Sequence, residues 1–402
     1  MTRNIIALIG FALLAGCSGG GGDSATPSSA PAPLAQPDML TATPQGILRG
    51  KANGQGQHEI FHFPNLLKGN LFVDQGNIVY PRNSQTDIWT VRTDGTGDHA
   101  LLNTANEEFL QAVSWPWVIY SDDTGMSFYK SLNTDTHAQF PIDIGNDFIQ
   151  LHANRVIISS YSQIASETFT GTDRVFYVFG PVQSQEITPA VIVADMLVYR
   201  QIMDPPPLTS IYSSTLFAVP FLGGTPIPLE SGQFRVSFAG SIGARVVYHR
   251  CPFVSQLRTG PCDVVSVQNN GIGQVVLASD PANEAVQGVT TNQVIIRRNL
   301  SGNDHLIAVP VGGGAEKLLM TMTDNEFVET IVDDTIIVRR PSGTWSLSLS
   351  GTLKQLSNVA GLDGFVPVGN AICSSDVVWC MPLDGSAPAV KIANEGKVVG
   401  VL

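Results

Sequence analysis

Residues 76–95 read GNIVYPRNSQTDIWTVRTDG. Two apolar runs, Ile78 to Tyr80 and Ile88 to Val91, are rich in β-branched and aromatic residues, are separated by Pro81, and end on Asp94 and Gly95. That is the pattern of two strands and their turns, not of a helix. The register of the second run is apolar, aromatic, any, apolar, then glycine six positions after the aromatic. It recurs at Leu216, Phe217, Val219, Gly223; at Val264, Val265, Val267, Gly271; at Leu306, Ile307, Val309, Gly313; at Thr344, Trp345, Leu347, Gly351; and at Val378, Trp379, Met381, Gly385. Weaker copies lie at Tyr129 and Tyr177.

The eight anchors 89, 129, 177, 217, 265, 307, 345 and 379 are spaced by 40, 48, 40, 48, 42, 38 and 34 residues. An all-β chain with a period of about 41 residues reads as an array of four-stranded propeller blades. A second strand precedes each anchor, as in Val246 to Tyr248 or Ile336 to Val338, and a third precedes that, as in Phe109 to Ser114 or Phe327 to Val332. Leu318 to Met320 exemplifies the fourth, after the glycine. A partial copy at Ile60, Phe61 and Phe63 and a lone strand pattern at Val398 to Val401 suggest that the two ends complete one blade together. The expectation is an all-β propeller over residues 46–402, with apolar residues at period two and eight four-stranded blades, nine if the front copy is a full blade, seven if one is atypical.

Only 14% of the 402 residues are charged, and the net charge is −12. A chain of this polarity repels phosphate backbones and anionic surfaces, which argues against nucleic-acid binding. Arg3 is followed by an apolar run from Ile5 to Leu14, half the length of a bilayer-spanning helix, so residues 1–16 read as a signal peptide. Leu14, Ala15, Gly16 and Cys17 resemble the lipobox of bacterial lipoproteins. The resemblance implies cleavage before Cys17, diacylation of its sulfur and, with Ser18 following, an outer-membrane address facing either side. Residues 17–45, rich in Gly, Ser, Pro and Ala, read as the lipidated cysteine and a flexible tether. The unit Asp87, Ile88, Trp89, Thr90, Val91 with its turn at Asp94 and Gly95 is similar to the repeats of TolB-type, WD40-like propellers and their lipoprotein relatives. The chain lacks the Ser-Pro-Asp-Gly turn and the N-terminal α/β domain of that family.

Four cysteines remain beyond Cys17. The repeat register places Cys251 and Cys262 on the second and third strands of one blade, and Cys373 and Cys380 on those of the last. Neighbouring antiparallel strands bring Cα atoms within disulfide range, so the expected bridges are Cys251 to Cys262 and Cys373 to Cys380. Free thiols are the alternative. The run His58, Glu59, Ile60, Phe61, His62 matches a zinc-peptidase pattern. On a strand, however, its histidines stand about 13 Å apart, too far for one metal; Phe61 aligns with Trp89, which makes the run a third strand. No metal or other cofactor is expected.

Arg82, Arg200, Arg250, Arg298 and Arg340 recur where second strands end, and Glu108, Asp147, Glu284 and Glu326 recur where first strands begin. They read either as cross-strand ion pairs or as a charged ring at the channel mouth that receives a ligand. The function expected is a membrane-tethered, non-catalytic propeller that binds a protein, peptide or glycan at the cell envelope. The alternative is an envelope hydrolase or lyase acting at that mouth.

Overall fold

Ile336, Ile337 and Val338 are consecutive and all fully buried, as are Val294 to Ile296, Val246 to Tyr248 and Ile78 to Tyr80. A strand with one wet face would alternate. Three buried residues in a row require apolar neighbours on both faces of the sheet, which corrects the period-two expectation for these strands. At about 1.5–3 kcal/mol per aliphatic side chain, one such triplet contributes at most about 5–9 kcal/mol.

The computed structural model describes residues 37–402 apart from 65–69, 83–86, 105, 135–136, 140–147, 153–154, 160–162, 170–172, 180–184, 188–190, 204–212, 233, 256–257, 260, 280–283 and 301. The strands in chain order begin with β1 (Asp38–Ala42), β2 (Gly46–Lys51) and β3 (His58–His62). Sheet 1 holds β4 (Phe72–Asp74), β5 (Asn77–Arg82), β6 (Asp87–Arg92) and β7 (His99–Leu102). Sheet 2 holds β8 (Glu108–Ser114), β9 (Trp117–Asp122), β10 (Ser127–Ser131) and β11 (His137–Gln139). Sheet 3 holds β12 (Phe148–His152), β13 (Arg155–Ser159), β14 (Gln163–Thr168) and β15 (Val175–Phe179). Sheet 4 holds β16 (Gln185–Ile187), β17 (Val191–Val193), β18 (Met196–Met203), β19 (Ser213–Pro220) and β20 (Ile227–Glu230). Sheet 5 holds β21 (Phe234–Ile242), β22 (Arg245–Ser255), β23 (Arg258–Thr259), β24 (Asp263–Gln268) and β25 (Val275–Ala278). Sheet 6 holds β26 (Glu284–Val289), β27 (Gln293–Leu300), β28 (Asn303–Pro310) and β29 (Lys317–Met322), and sheet 7 holds β30 (Phe327–Val332), β31 (Thr335–Arg340), β32 (Gly343–Ser348) and β33 (Leu353–Ser357). The last strands are β34 (Val366–Val368), β35 (Ala371–Cys373), β36 (Asp376–Pro382) and β37 (Val390–Val401).

Every pairing among the described strands is antiparallel, and first strands of successive sheets lie against one another, as β4 with β8, β8 with β12, β21 with β26 and β26 with β30. First strands therefore line the inside of a ring, and fourth strands form its outer edge. The eighth sheet has seven strands, in the order β3-β2-β1-β37-β36-β35-β34. Its two halves share β37, whose Val390 to Gly396 pair with β36 and whose Lys397 to Val401 pair with β1. Each half thus supplies a four-strand set, and β37 passes from the outer edge of one to the inner edge of the other.

The eight sheets match the eight anchors, and the front copy, with the end of β37, completes a set of its own within the eighth, so the described strands form nine four-strand sets, the number expected if the front copy is full. Nine clusters of described buried residues follow from this. Seven join successive sheets from 1 to 7 and 7 to 8, such as Val79 and Ile88 with Leu110 and Val118, or Ile337 and Leu356 with Ile372 and Met381. One joins the halves of sheet 8 through Met39, Val378 and Ile392. The ninth closes the ring, packing Leu40, Ala42 and Ile47 on Ile78, Tyr80 and Val91.

The repeating glycine has a physical cause. Gly95 has φ +85°, and a Cβ there would lie 2.1 Å from the carbonyl oxygen of Ile60 on β3. At Gly313, with φ +87°, it would lie 2.8 Å from Val275 on β25. In each case the turn after the third strand is in the left-handed region and presses on the fourth strand of the preceding set, where only glycine fits. The anchor residues sit at a second recurrent feature, a register shift between third and fourth strands at Ile88/Trp89, Leu216/Phe217, Val264/Val265, Leu306/Ile307 and Thr344/Trp345. Such a bulge increases local twist.

Those shifts correct two sequence assignments. The equivalent shift in sheet 3 falls at Ile164/Ala165 and in the front set at Ile47/Leu48. Tyr177 and Phe61 therefore belong to fourth strands, β15 and β3, because an aromatic at an outer edge mimics the anchor pattern. The folded chain also starts earlier than residue 46. Asp38 to Ala42 form β1 by pairing with β2 and β37, a long-range partnership that local composition does not announce.

Candidate functional site

The end of the ring where second strands finish and first strands begin carries the expected arginines. Glu284 opens β26 opposite Arg298 on β27, and antiparallel register makes them direct partners. The Arg298 Nε donates to Glu284 Oε1 at 2.7 Å, and its Nη1 lies 3.0 Å from Glu316 Oε1. The Glu284 side chain is fully buried and that of Arg298 is 9% exposed. Burial alone would disfavour the guanidinium's charge, but Glu316 and Glu284 outweigh it and hold the Arg298 pKa above its ordinary value. Arg340 makes the equivalent bond from Nε to Glu326 Oε1, with its guanidinium 5.2 Å from the Trp345 ring.

Arg82 differs in partner. It reaches outward across its own sheet, 3.8 Å over the Trp89 ring, and bonds Asp98 Oδ2 and the Tyr80 hydroxyl at 2.9 Å each. Arg250 lies between Glu230 at 3.3 Å and Asp263 at 2.8 Å. Arg200 is out of step with the others: it follows Tyr199 directly, whereas Arg82 and Arg250 stand two residues after Tyr80 and Tyr248. One residue reverses the face of a strand, and Arg200 accordingly reaches the next sheet, donating to the Val236 carbonyl at 3.0 Å. His249 is its counterpart in sheet 5, accepting from the Val286 backbone N–H at 3.1 Å.

Glu108 stands opposite Asp122 rather than an arginine. Burial, with Asp87 and Asp122 adding like charge, raises its pKa, against which Thr104 donates from its backbone N–H and hydroxyl. Asp147 and Cys17 lie outside the described residues. Sequence reasoning missed the tyrosines of the second strands, whose hydroxyls join these networks. Tyr80 donates to Asp98 at 2.6 Å and Tyr248 to Glu230 at 3.0 Å. The available signal was their fixed offset of two residues before an arginine.

Both expected disulfides are present, Cys251 with Cys262 at a Cα separation of 4.0 Å and Cys373 with Cys380 at 4.1 Å. The second is buried and lies against Met39, whose Sδ is 3.9 Å from each sulfur, so it packs on the strand that closes the ring. The His58 to His62 run is the outer-edge strand β3, with His62 Nδ1 bonded to Glu59 at 2.8 Å. Among the described residues no cluster of three or more His, Cys, Asp or Glu could hold a metal, and no helix is long and apolar enough to cross a membrane.

No family model and no curated protein matches the chain. Solved structures do. Dipeptidyl peptidase 4 from Porphyromonas gingivalis is 10% identical with a TM-score of 0.54, over 79% of this chain and 59% of its own. BamB from Moraxella catarrhalis is 14% identical over 88% of this chain and 91% of its own, at a TM-score of 0.40. An oligogalacturonate lyase in complex with manganese is 9% identical over 78% and 98%, at 0.44. At such identities the likeness is one of fold, and with the closed ring of antiparallel sheets it defines the chain as a β-propeller.

Proposed function

We propose that this protein is a membrane-tethered, non-catalytic β-propeller lipoprotein, a binding module for a protein, peptide or glycan at the outer membrane. The observation that carries the reading is the sequence Leu14, Ala15, Gly16, Cys17 followed by a tract poor in apolar residues that leads into the ring at Pro37. Acylation of Cys17 supplies the anchor, and the tether lets the propeller meet a partner at the membrane surface. The partner contacts the end of the ring bearing Arg82, Arg250, Arg298 and Arg340. Four guanidiniums already matched by carboxylates give that end mixed charge, suited to a polar partner rather than to a polyanion.

The test is in-cell crosslinking of the full chain followed by mass spectrometry, beside fractionation of a Cys17→Ser variant. A stable envelope partner and loss of the variant from washed membranes are expected. Membrane retention of the variant would overturn the anchor, and turnover of a small substrate by the purified protein would overturn the non-catalytic role.

A further inference from the structure

The two most exposed large apolar side chains among the described residues are Leu222, 76% exposed, and Ile272, 67%. Both stand at the tips of turns between third and fourth strands, in neighbouring sheets 4 and 5. Each tip is held by the glycine beside it. Gly223 packs against Val175 and Gly271 against Ile227, both on the preceding sheet's outer strand, while Gly223 N–H bonds Pro220 O and Gly271 N–H bonds Gln268 O. The apolar side chains are thus presented outward on pinned backbone, not on loose loops.

The same end of the ring receives the tether. β1 is a second strand and starts at this end, and Pro37 lies against Gly369, in the turn between β34 and β35. The connection from Cys17 to Pro37 is 20 residues, and a flexible chain of that length has a root-mean-square span of only about 25 Å. An anchor reaching this end from a bilayer favours the orientation in which the same end faces the lipid. Leu222 and Ile272 lie in sheets 4 and 5, well around the ring from the set that receives the tether.

We infer that this end of the propeller rests on the bilayer, with Leu222 and Ile272 entering the interface, so that the rim arginines face away from the membrane toward the partner. The inference rests on the lipoprotein reading and adds an orientation to it. The contact is apolar, because a chain of net charge −12, with Asp94, Asp334 and Asp384 on turns of this end, gains nothing from anionic headgroups.

The full acylated chain in equimolar phosphatidylethanolamine and phosphatidylcholine vesicles carrying brominated lipid tests this. Leu222→Trp, Ile272→Trp and, in the opposite-end turn between β9 and β10, Asp123→Trp are compared with the parent to subtract its own tryptophans. Mass spectrometry of the N-terminal peptide reports acylation independently. Added quenching at 222 and 272 but not at 123, weakened when phosphatidylglycerol replaces phosphatidylcholine, is expected. Acylated chain with no added quenching, or equal quenching at 123, overturns the orientation and leaves the anchor standing. Unacylated chain overturns the anchor and with it this inference.

Discussion

Replacing Arg298 with Gln separates a structural arginine from a ligand-receiving one. The substitution removes the partner of Glu284, whose side chain is fully buried, while Arg298 itself is 9% exposed. Breaking a buried pair from one side leaves an uncompensated charge and costs about 3–5 kcal/mol. With an unfolding entropy of about 2.1 cal/mol/K per residue over roughly 370 residues, or ~0.8 kcal/mol/K, a loss of about 3 kcal/mol lowers Tm by about 4 °C. Arg340 bonds Glu326, which is nearly as buried as Glu284, but the Arg340 side chain is 30% exposed and Glu326 keeps the Thr323 backbone N–H as a donor, so water access and that remaining bond hold Arg340→Gln to about 1–2 kcal/mol, or about 1–3 °C. Scanning calorimetry of the parent, both single variants and the double variant Glu284→Gln with Arg298→Gln measures the order. The double variant is expected to recover part of the loss, because it removes the stranded carboxylate. Equal small shifts for both single variants, or a double variant worse than Arg298→Gln, would refute the reasoning. Loss of crosslinked partner by Arg340→Gln at unchanged Tm would show that its charge also serves binding.

Gly95→Ala is expected to destabilise by more than about 2 kcal/mol, combining left-handed strain with the clash on Ile60, whereas Gly125→Ala, at φ +81° with open space around it, costs only the strain, about 1–2 kcal/mol; thermal melts of the pair showing equal losses would refute the packing role of the repeat glycine. Burial lowers the His249 pKa from its ordinary value, so the folded state resists protonation there. Its contribution is complete above about pH 6.5 and declines as pH falls toward the lowered folded value, because in that window the unfolded chain binds the extra proton. His249→Gln should flatten that decline, and an unchanged pH profile of Tm would count against it. Deleting Lys397 to Leu402 removes the half of β37 that pairs with β1 and leaves Leu40 and Met39, now fully buried, on an open edge; aggregation by light scattering is expected, and a monomeric product with unchanged Tm would exclude the closing role.

The sequence by itself determined the class of fold. Short β-branched runs and a glycine at fixed offset from an anchor recur because every set repeats the same two constraints, burial on both faces and a turn pressed on its neighbour. The disulfide pairs were legible for the same reason, since adjacent strands of one hairpin are close in sequence. Local pattern could not show that Phe61 and Tyr177 lie on outer edges, or that Arg200 points to the next sheet, because an aromatic suits either strand and one residue of register reverses a face. Nor could it show that residues 38–42 pair with residues 397–401 or that β37 serves two sets at once. Those contacts join the two ends of the described chain, and only the geometry of a closing ring brings them together. The partners of Arg298 and Arg82, and with them whether a rim charge is free or already matched, depend on how far each side chain reaches across a twisted sheet, which only the tertiary structure decided.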